Sequence, residues 1–296
     1  MSFHPPSTAK TKLPDFSLVI PVYNEEEGIL STLDQLEQTF APLNCQYEVI
    51  VVNDGSSDQT QALLATRSDV RVFEHERNRG YGAALKTGIR HAKFPIVVIT
   101  DADGTYPNEQ IPHLLEFAEV ADMVVGARTG EKVQYSNLRK IPKWFLVRFA
   151  EWITKHPIPD LNSGLRVMRK PIVEKFLHIL PDTFSFTTTI TVAMLTNNYV
   201  VRFIPINYFA RTGRSKIKPI RDTLRFVQII LRTGVYFAPL RVFLPLAGFF
   251  FGLFCITLFQ DVFIRHDLTE RTLILLMAFT QIGVFALLAD MIDKRT

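Results

Sequence analysis

Val97-Val98-Ile99-Thr100-Asp101-Ala102-Asp103-Gly104 joins a β-branched apolar run to two carboxylates one residue apart. Such a run reads as a strand buried on both faces of a parallel sheet. Two charges at its carboxyl end are costly unless something positive sits beside them. The crevice at the carboxyl ends of parallel strands is where α/β proteins hold ligands. Carboxylate oxygens suit Mg²⁺ and Mn²⁺, and Mg²⁺ is usually shared between one or two carboxylates and substrate phosphates. A lone Asp-x-Asp is more often a pair of solvated loop acids, so the neighbouring sequence has to decide.

Working outward, residues 15 to about 128 alternate strand and helix signals. Strand-like runs are Phe16–Val22, Tyr47–Val52, Val70–Glu74, Phe94–Thr100 and Ala121–Gly126. Helical patterns fall between them at Glu25–Phe40, Asp58–Thr66, Tyr81–His91 and Asn108–Ala118. This alternation predicts a mostly parallel, Rossmann-like sheet with crossover helices. Residues 129 to about 218 are less regular. Helices are predicted at Asn137–Thr154 and Phe186–Asn197, and strands at Leu161–Met168 and Tyr199–Phe209, as edge strands and cover for a site. Met1–Pro14 is polar and proline-bearing, which predicts a flexible lead-in rather than a signal peptide.

The carboxyl end changes character. Val242–Phe259 and Thr272–Ala289 contain no charged residue, and Asp261–Arg271 separates them. Each run reaches the roughly 18 residues that begin to justify a membrane span. Both are apolar on every face, with Phe249, Phe250 and Phe251 consecutive, which disfavours two core helices of a soluble domain. Spans are expected at about 242–260 and 272–290, within a 241–296 hairpin that leaves the tail and the large domain on one side. Before them, residues 218–240 read as an interfacial amphipathic helix. On 3.6 residues per turn, Arg221, Arg225 and Arg232 fall within about 40° of one another. Basic helices beside spans lie on anionic membrane faces. The same excess of Arg and Lys predicts a multi-pass protein of the inner membrane with its catalytic domain in the cytoplasm.

Composition narrows the function classes. Hydrophobic residues make up 47% of 296, which is high for a soluble enzyme. A net charge of +4 without a basic run of five gives no reason to expect nucleic acid. Two cysteines and seven scattered histidines argue against disulfide frameworks and zinc sites.

Three polar clusters fall at carboxyl ends of predicted strands. They are Pro21-Val22-Tyr23-Asn24-Glu25, Asn53-Asp54-Gly55-Ser56-Ser57-Asp58 and Asp101-Ala102-Asp103. Asp58 alone reads as a helix cap; three clusters on one sheet edge read as a site. Gly80-Tyr81-Gly82 precedes a helix but follows the third strand, whereas a dinucleotide fingerprint follows the first. With Lys86 on the next helix, this turn suits close approach of a nucleotide's base or ribose.

Together, Pro21-x-Tyr23-Asn24-Glu25, Asn53-Asp54-Gly55-Ser56-x-Asp58, Asn78-x-Gly80-x-Gly82-x-Ala84-x-x-x-Gly88 and Asp101-Ala102-Asp103 resemble the inverting family 2 glycosyltransferases of the GT-A fold. The closest resemblance is to the branch that moves a sugar from a nucleotide onto dolichyl or polyprenyl phosphate. It runs from about residue 16 to 217, and bacterial members also carry two membrane helices after the catalytic domain. The predicted GT-A domain is 15–217. The resemblance implies that Pro21, Tyr23 and Glu25 contact the base and ribose, that Asp54 accepts from the base, and that Lys86 lies near it. It implies that Asp101, Ala102 and Asp103 meet the ribose and the metal, with Asp101 and Asp103 as ligands of Mg²⁺ or Mn²⁺. Arg128 matches an arginine near the phosphates. Asp160-x-x-Ser163-Gly164-x-Arg166 resembles the acceptor-side segment, and Arg211-x-Gly213-x-Ser215-Lys216 a loop that closes on donor and acceptor phosphates. Gly104-Thr105, Leu165 and Thr189 depart from common family residues and leave the sugar unassigned.

The implied chemistry is metal-dependent inverting transfer of a hexose from a UDP- or GDP-sugar to polyprenyl phosphate. The leaving diphosphate gains negative charge, which a metal and basic residues stabilise. A lipid phosphate is already ionised, so Arg128, Arg139, Arg166, Arg211 and Lys216 outweigh any carboxylate base. A sugar-hydroxyl acceptor would need a base, with Asp160 the candidate. The rivals are that hydroxyl transferase and a non-catalytic membrane partner that binds nucleotide sugar. A homo-oligomer is compatible with either.

Overall fold

Apolar side chains on both faces of the central strands dictate a three-layer arrangement. The computed structural model describes residues 12–130, 140–209, 228, 231, 232 and 234–293. Its elements run β1 (Phe16–Val22), α1 (Ile29–Phe40), β2 (Tyr47–Asn53), α2 (Thr60–Leu64), β3 (Arg71–Glu74), α3 (Tyr81–His91), β4 (Ile96–Ile99) and α4 (Ile111–Leu115). They continue through β5 (Met123–Ala127), α5 (Lys140–Thr154), β6 (Arg166–Arg169), α6 (Lys170–Phe176), α7 (Phe186–Thr196), β7 (Val201–Pro205), α8 (Pro239–Gln260) and α9 (Glu270–Asp293).

The seven strands are ordered β3-β2-β1-β4-β6-β5-β7. All pairings are parallel except those of β6, which runs antiparallel to β4 and β5. The alternation along β1 sends Leu18 and Ile20 to one face, where Ile29, Leu33 and Leu36 of α1 and Ile111 and Leu114 of α4 cover them. Val19 points the other way, with Ile50, Val97 and Ile99, under Leu85 and Ile89 of α3 and Phe186 and Ile190 of α7. The chain steps outward from β1 through β2 to β3, then returns to β4 on the far side of β1. That reversal opens a crevice at the carboxyl ends of β1 and β4.

The second half departs from the sequence reading. β6 lies inside the sheet rather than at its edge, while β7 does form an edge. Helix α6 was not anticipated; it follows β6 without a break. Helix α1 starts at Ile29, four residues later than the periodicity predicts, because residues 24–26 bond to the loop after β2.

The two carboxyl-terminal helices lie side by side, with Phe251 and Phe279 ring centroids 4.9 Å apart. Only 11% of each apolar window is buried, which a core helix of a soluble domain would not show. At 1.5 Å per residue, both are long and apolar enough to cross a bilayer. The turn between them is pinned by buried Asp261, whose Oδ2 accepts from Thr269 N (2.9 Å), Thr269 Oγ1 (2.5 Å) and Thr272 Oγ1 (2.7 Å). Of the expected amphipathic segment, residues 228, 231, 232 and 234–237 are helical; Arg221 and Arg225 lie outside the described residues, as do residues 1–11 of the lead-in.

Candidate active site

Strand direction decides which loops meet. β1, β2, β4, β5 and β7 share one direction, so the residues after each emerge at the same edge. The segment before antiparallel β6 enters at that edge too, which brings residues 160–165 to the acids after β4.

The first two loops are bonded to each other. Asn24, in a left-handed conformation (φ 52), donates its N–H to Ser56 Oγ (2.9 Å) and accepts Ser57 N–H on Oδ1 (2.8 Å). Glu25 N–H donates to Thr60 Oγ1 (3.0 Å). Asp58 takes the N–H of Thr60 (3.0 Å) and of Glu26 (3.3 Å), which ties the loops; the cap position of α2 is Gln59, one residue after the predicted cap. Burial pushes the Asp58 carboxyl up, but these hydrogen bonds outweigh it and hold the group below the usual range. Pro21 sits in β1 opposite Val52, and Tyr23 follows at the strand's end.

Asp54 is 2% exposed. Its carboxylate accepts from Arg79 N (2.9 Å), Gly80 N (2.7 Å) and His75 Nδ1 (2.6 Å), while His75 Nε2 lies 2.9 Å from Thr87 Oγ1. The Asp54 carboxylate thus engages the chain's own 75–80 segment. The glycine pattern serves a contact of its own. A Cβ on Gly82 would lie 2.1 Å from Pro181 O, and one on Gly80 (φ 106) 2.3 Å from Asp182 O. These glycines admit the 181–182 backbone. Lys86 joins the same contact through Asp182 Oδ1 (2.7 Å), so its side chain is held toward the 181–182 segment.

The acid pair sits in a turn gripped from several sides. Thr32 Oγ1 of α1 donates to Ala102 O (3.0 Å), and Ala102 is 3% exposed. Asp101 Oδ1 accepts from Tyr81 Oη (3.0 Å), and Gly164 presses so close that a Cβ would lie 2.9 Å from Asp101 Oδ2. Asp103 Oδ1 accepts from Thr105 N (3.2 Å) and Thr105 Oγ1 (2.6 Å). Burial first, then the Asp101 charge, pushes the Tyr81 hydroxyl well above its ordinary value, so it stays a donor. Tyr106 is raised mainly by burial, and its Oη accepts Gly164 N–H (2.6 Å). Tyr81, His75, Tyr106 and Tyr208 were missed in the sequence. An aromatic between two motif glycines was the available signal for Tyr81; nothing local marks the other three.

Asp160 and Arg128 form the best-defined pair. Asp160 is 1% exposed, and among the described residues four donors converge on it. Oδ2 takes Arg128 N (3.0 Å) and Arg128 Nε (2.7 Å), and Oδ1 takes Arg128 Nη2 (2.9 Å) and Asn162 N (3.2 Å). A carboxylate offers about four lone-pair sites, so these donors fill it. That geometry does not match the general-base role given to Asp160 above. The Arg128 guanidinium also lies 5.1 Å from the Tyr208 ring centroid, and Tyr208 packs edge-on to Tyr106.

Arg166 turns inward. It is fully buried, donating to Ser163 O (2.7 Å), Leu161 O (3.1 Å) and Thr191 Oγ1 (2.7 Å), and burial pulls its guanidinium down to about 10. From beneath, it holds the 160–164 loop through the Leu161 and Ser163 carbonyls. Arg139, Arg211 and Lys216 lie outside the described residues.

Among the described residues no group of three or more His, Cys, Asp or Glu stands together as a ready-made metal cage. A carboxylate pair still fits a hard divalent ion whose remaining ligands are phosphates and water.

An α/β domain with a switch-point crevice lined by carboxylates and an oriented arginine has the architecture of a GT-A glycosyltransferase, here joined to an apolar hairpin. Solved structures share the fold of the α/β domain. Glucosyl-3-phosphoglycerate synthase from Mycobacterium tuberculosis in complex with UDP superposes with a TM-score of 0.58 at 19% identity, covering 75% of this chain and 80% of that one. The same protein with Mn²⁺, UDP-glucose and phosphoglyceric acid gives 0.58 at 19% over the same shares. The chain belongs to glycosyl transferase family 2: that family's model matches residues 17–177, and the model of the GtrB C-terminal hairpin matches 238–294. Among curated relatives, undecaprenyl-phosphate 4-deoxy-4-formamido-L-arabinose transferase of Klebsiella pneumoniae (strain 342) is 30% identical over 259 residues, 82% of this chain and 76% of that protein. The protein of the same name in Yersinia pestis (strain Pestoides F) is 35% identical over 187 residues, 58% of this chain. The match spans 57% of that Yersinia protein's length.

Proposed function

We propose that this protein transfers a sugar from a UDP- or GDP-sugar to polyprenyl phosphate at the cytoplasmic face of the inner membrane, inverting the anomeric configuration. The observation that carries this reading is the saturated Asp160 carboxylate. Its oxygens accept from Arg128 N, Nε and Nη2 and from Asn162 N, an arrangement that suits holding a cation in place rather than serving a hydroxyl as a base. A hydroxyl nucleophile needs a base; a phosphate monoester near pH 7 is already ionised. An arginine held by a bidentate fork at the edge that carries Asp101 and Asp103 suits an anionic acceptor. The curated relatives named for undecaprenyl phosphate support that acceptor class.

In this reading Tyr23 and Glu25 bracket the base and ribose, with Pro21 shaping the strand's end. Asp54 acts on the nucleotide through the 79–80 backbone that it fixes. Asp101 and Asp103 hold Mg²⁺ or Mn²⁺, which when bound neutralises charge on the donor diphosphate. Tyr81 and Thr105 fix the two carboxylates in place. Arg128 positions the acceptor phosphate or stabilises charge on the leaving group, and Arg211 and Lys216 close over the phosphates. The acceptor phosphate oxygen is already ionised, so it attacks the anomeric carbon without proton transfer as the bond from that carbon to the nucleoside diphosphate breaks and the diphosphate leaves. The hairpin keeps this crevice at the bilayer, where a polyprenyl chain resides.

The test offers purified protein radiolabelled UDP- and GDP-sugars with Mn²⁺ and either polyprenyl phosphate or the corresponding polyprenol. Label in the lipid phase with the phosphate alone is the expected result. Equal transfer to polyprenol, or to a water-soluble sugar, would refute the phosphate-acceptor reading.

A further inference from the structure

We infer that the groove between helix α5 and the first turns of α8 is a binding site for an anionic glycerophospholipid of the surrounding bilayer. The groove has a volume of about 460 Å³ and is lined by Glu151, Trp152, Lys155, Leu240, Arg241, Leu244 and Pro245. It shares no residue with the acid-lined crevice.

The lining divides by chemistry. Leu240, Leu244 and Pro245 lie in the first two turns of the first apolar span, at the depth where a bilayer changes from headgroup to acyl chain. Trp152 is 46% exposed, an amphipathic ring of the kind that settles at this level. These surfaces suit an acyl chain. Lys155 and Arg241 supply two positive charges beside them. Glu151 is the one acid in the lining, and its carboxylate is engaged by Arg148 Nη1 (3.0 Å) and Ile158 N (3.0 Å). The groove therefore presents net positive charge over an apolar floor, complementary to a phosphodiester on a diacyl tail.

Two local features aim these cations. Lys155 sits just past the end of α5 in a left-handed conformation (φ 62), a position glycine normally takes. A glycine there would bring no charge. Arg241, the third residue of the first span, donates to the Ile153 carbonyl and so is anchored to the end of the same helix. The groove also connects to the site. Glu151 holds the N–H of Ile158, two residues before Asp160, which orients Arg128. A lipid seated here bears on the loop that carries the Asp160–Arg128 fork.

The test is native mass spectrometry of the full chain in detergent with equimolar phosphatidylglycerol and phosphatidylcholine of matched acyl chains. The expected result is preferential retention of phosphatidylglycerol by up to about thirty-fold, from two interfacial cations. Lys155→Gln should cut the ratio about fivefold. Arg265→Gln, five residues beyond the opposite end of α8, should leave it unchanged, and Trp152→Ala should weaken retention of both lipids. Thermal unfolding of each variant separates lost binding from lost folding. Equal retention of both lipids by the wild type would overturn the inference, as would an unchanged ratio in folded Lys155→Gln. So would displacement of phosphatidylglycerol by equimolar polyprenyl phosphate or by millimolar inorganic phosphate. Retention needs no turnover, so failed sugar transfer with the preference intact sinks the proposed function and not this site.

Discussion

Asp160→Asn separates an orienting carboxylate from a proton-accepting one. The substitution keeps shape and replaces one oxygen with an NH₂ group. The remaining carbonyl oxygen accepts two hydrogen bonds, so two of the four donors now on Asp160 face another donor. Arg128 keeps its charge at a site where its side chain is only 12% exposed. Removing one partner of such a buried pair costs about 3–5 kcal/mol, which lowers the melting temperature by roughly 6–20 °C in a domain of this size. Losing a pre-oriented charged donor in the crevice costs a further factor of about 10²–10³ in kcat. Because the two residues act as one unit, Asp160→Asn combined with Arg128→Gln should be little worse than Arg128→Gln alone, a coupling of about 2–3 kcal/mol. The assay is initial rate of lipid-linked sugar formation against pH for wild type, both single variants and the double variant. All four should share the same acidic limb. Loss of that limb in Asp160→Asn alone, with additive effects in the double variant, would show Asp160 acting as a base and refute the orienting role.

Three further outcomes follow from particular contacts. Chelation of divalent metal, or Asp103→Ala, should lower transfer by at least about 10²-fold, with Mn²⁺ restoring the chelated wild type but not the variant; undiminished transfer after complete chelation would refute the metal role. Gly82→Ala drives a methyl to within 2.1 Å of Pro181 O and should cost about 1–3 kcal/mol, read as a lowered melting temperature. Gly248→Ala, with nothing within 4 Å, is the neutral control; equal melting for both would contradict the packing argument. Glu48 is pushed up by burial but held below its ordinary value of 4.5 by Ser17, Lys93 N–H and Arg71, so its stabilisation is complete above 4.5 and fades as pH falls through its folded value. The gap in melting temperature between wild type and Glu48→Gln should therefore narrow below about pH 4.5, and a constant gap from pH 7 to pH 3 would show that the Glu48 charge is not the stabilising element.

Much of the framework was legible in the chain. The runs 16–22, 47–52 and 94–100 read as strands because they are rich in β-branched and apolar residues. Their polar carboxyl ends read as a site because parallel strands share an edge. The hairpin was legible from two uncharged stretches alone. The roles of Asp54, Lys86, Asp160 and Arg166 were not legible, because each depends on donors and acceptors from distant segments. Asp54 engages the 75–80 segment, Lys86 reaches Asp182, and Arg166 turns inward to Ser163 and Thr191.

By itself the sequence determined the periodicities: which strands are buried, where they end in carboxylates, and which helices are apolar all round. These are local properties, set by side-chain alternation and run length. Only the tertiary structure decided that β6 enters the sheet in the opposite direction, carrying Asp160 to Arg128 and Gly164 to Asp101. Strand direction is fixed by how the whole chain packs, and a carboxylate's role by which N–H groups reach it, and neither is written in the residues beside it.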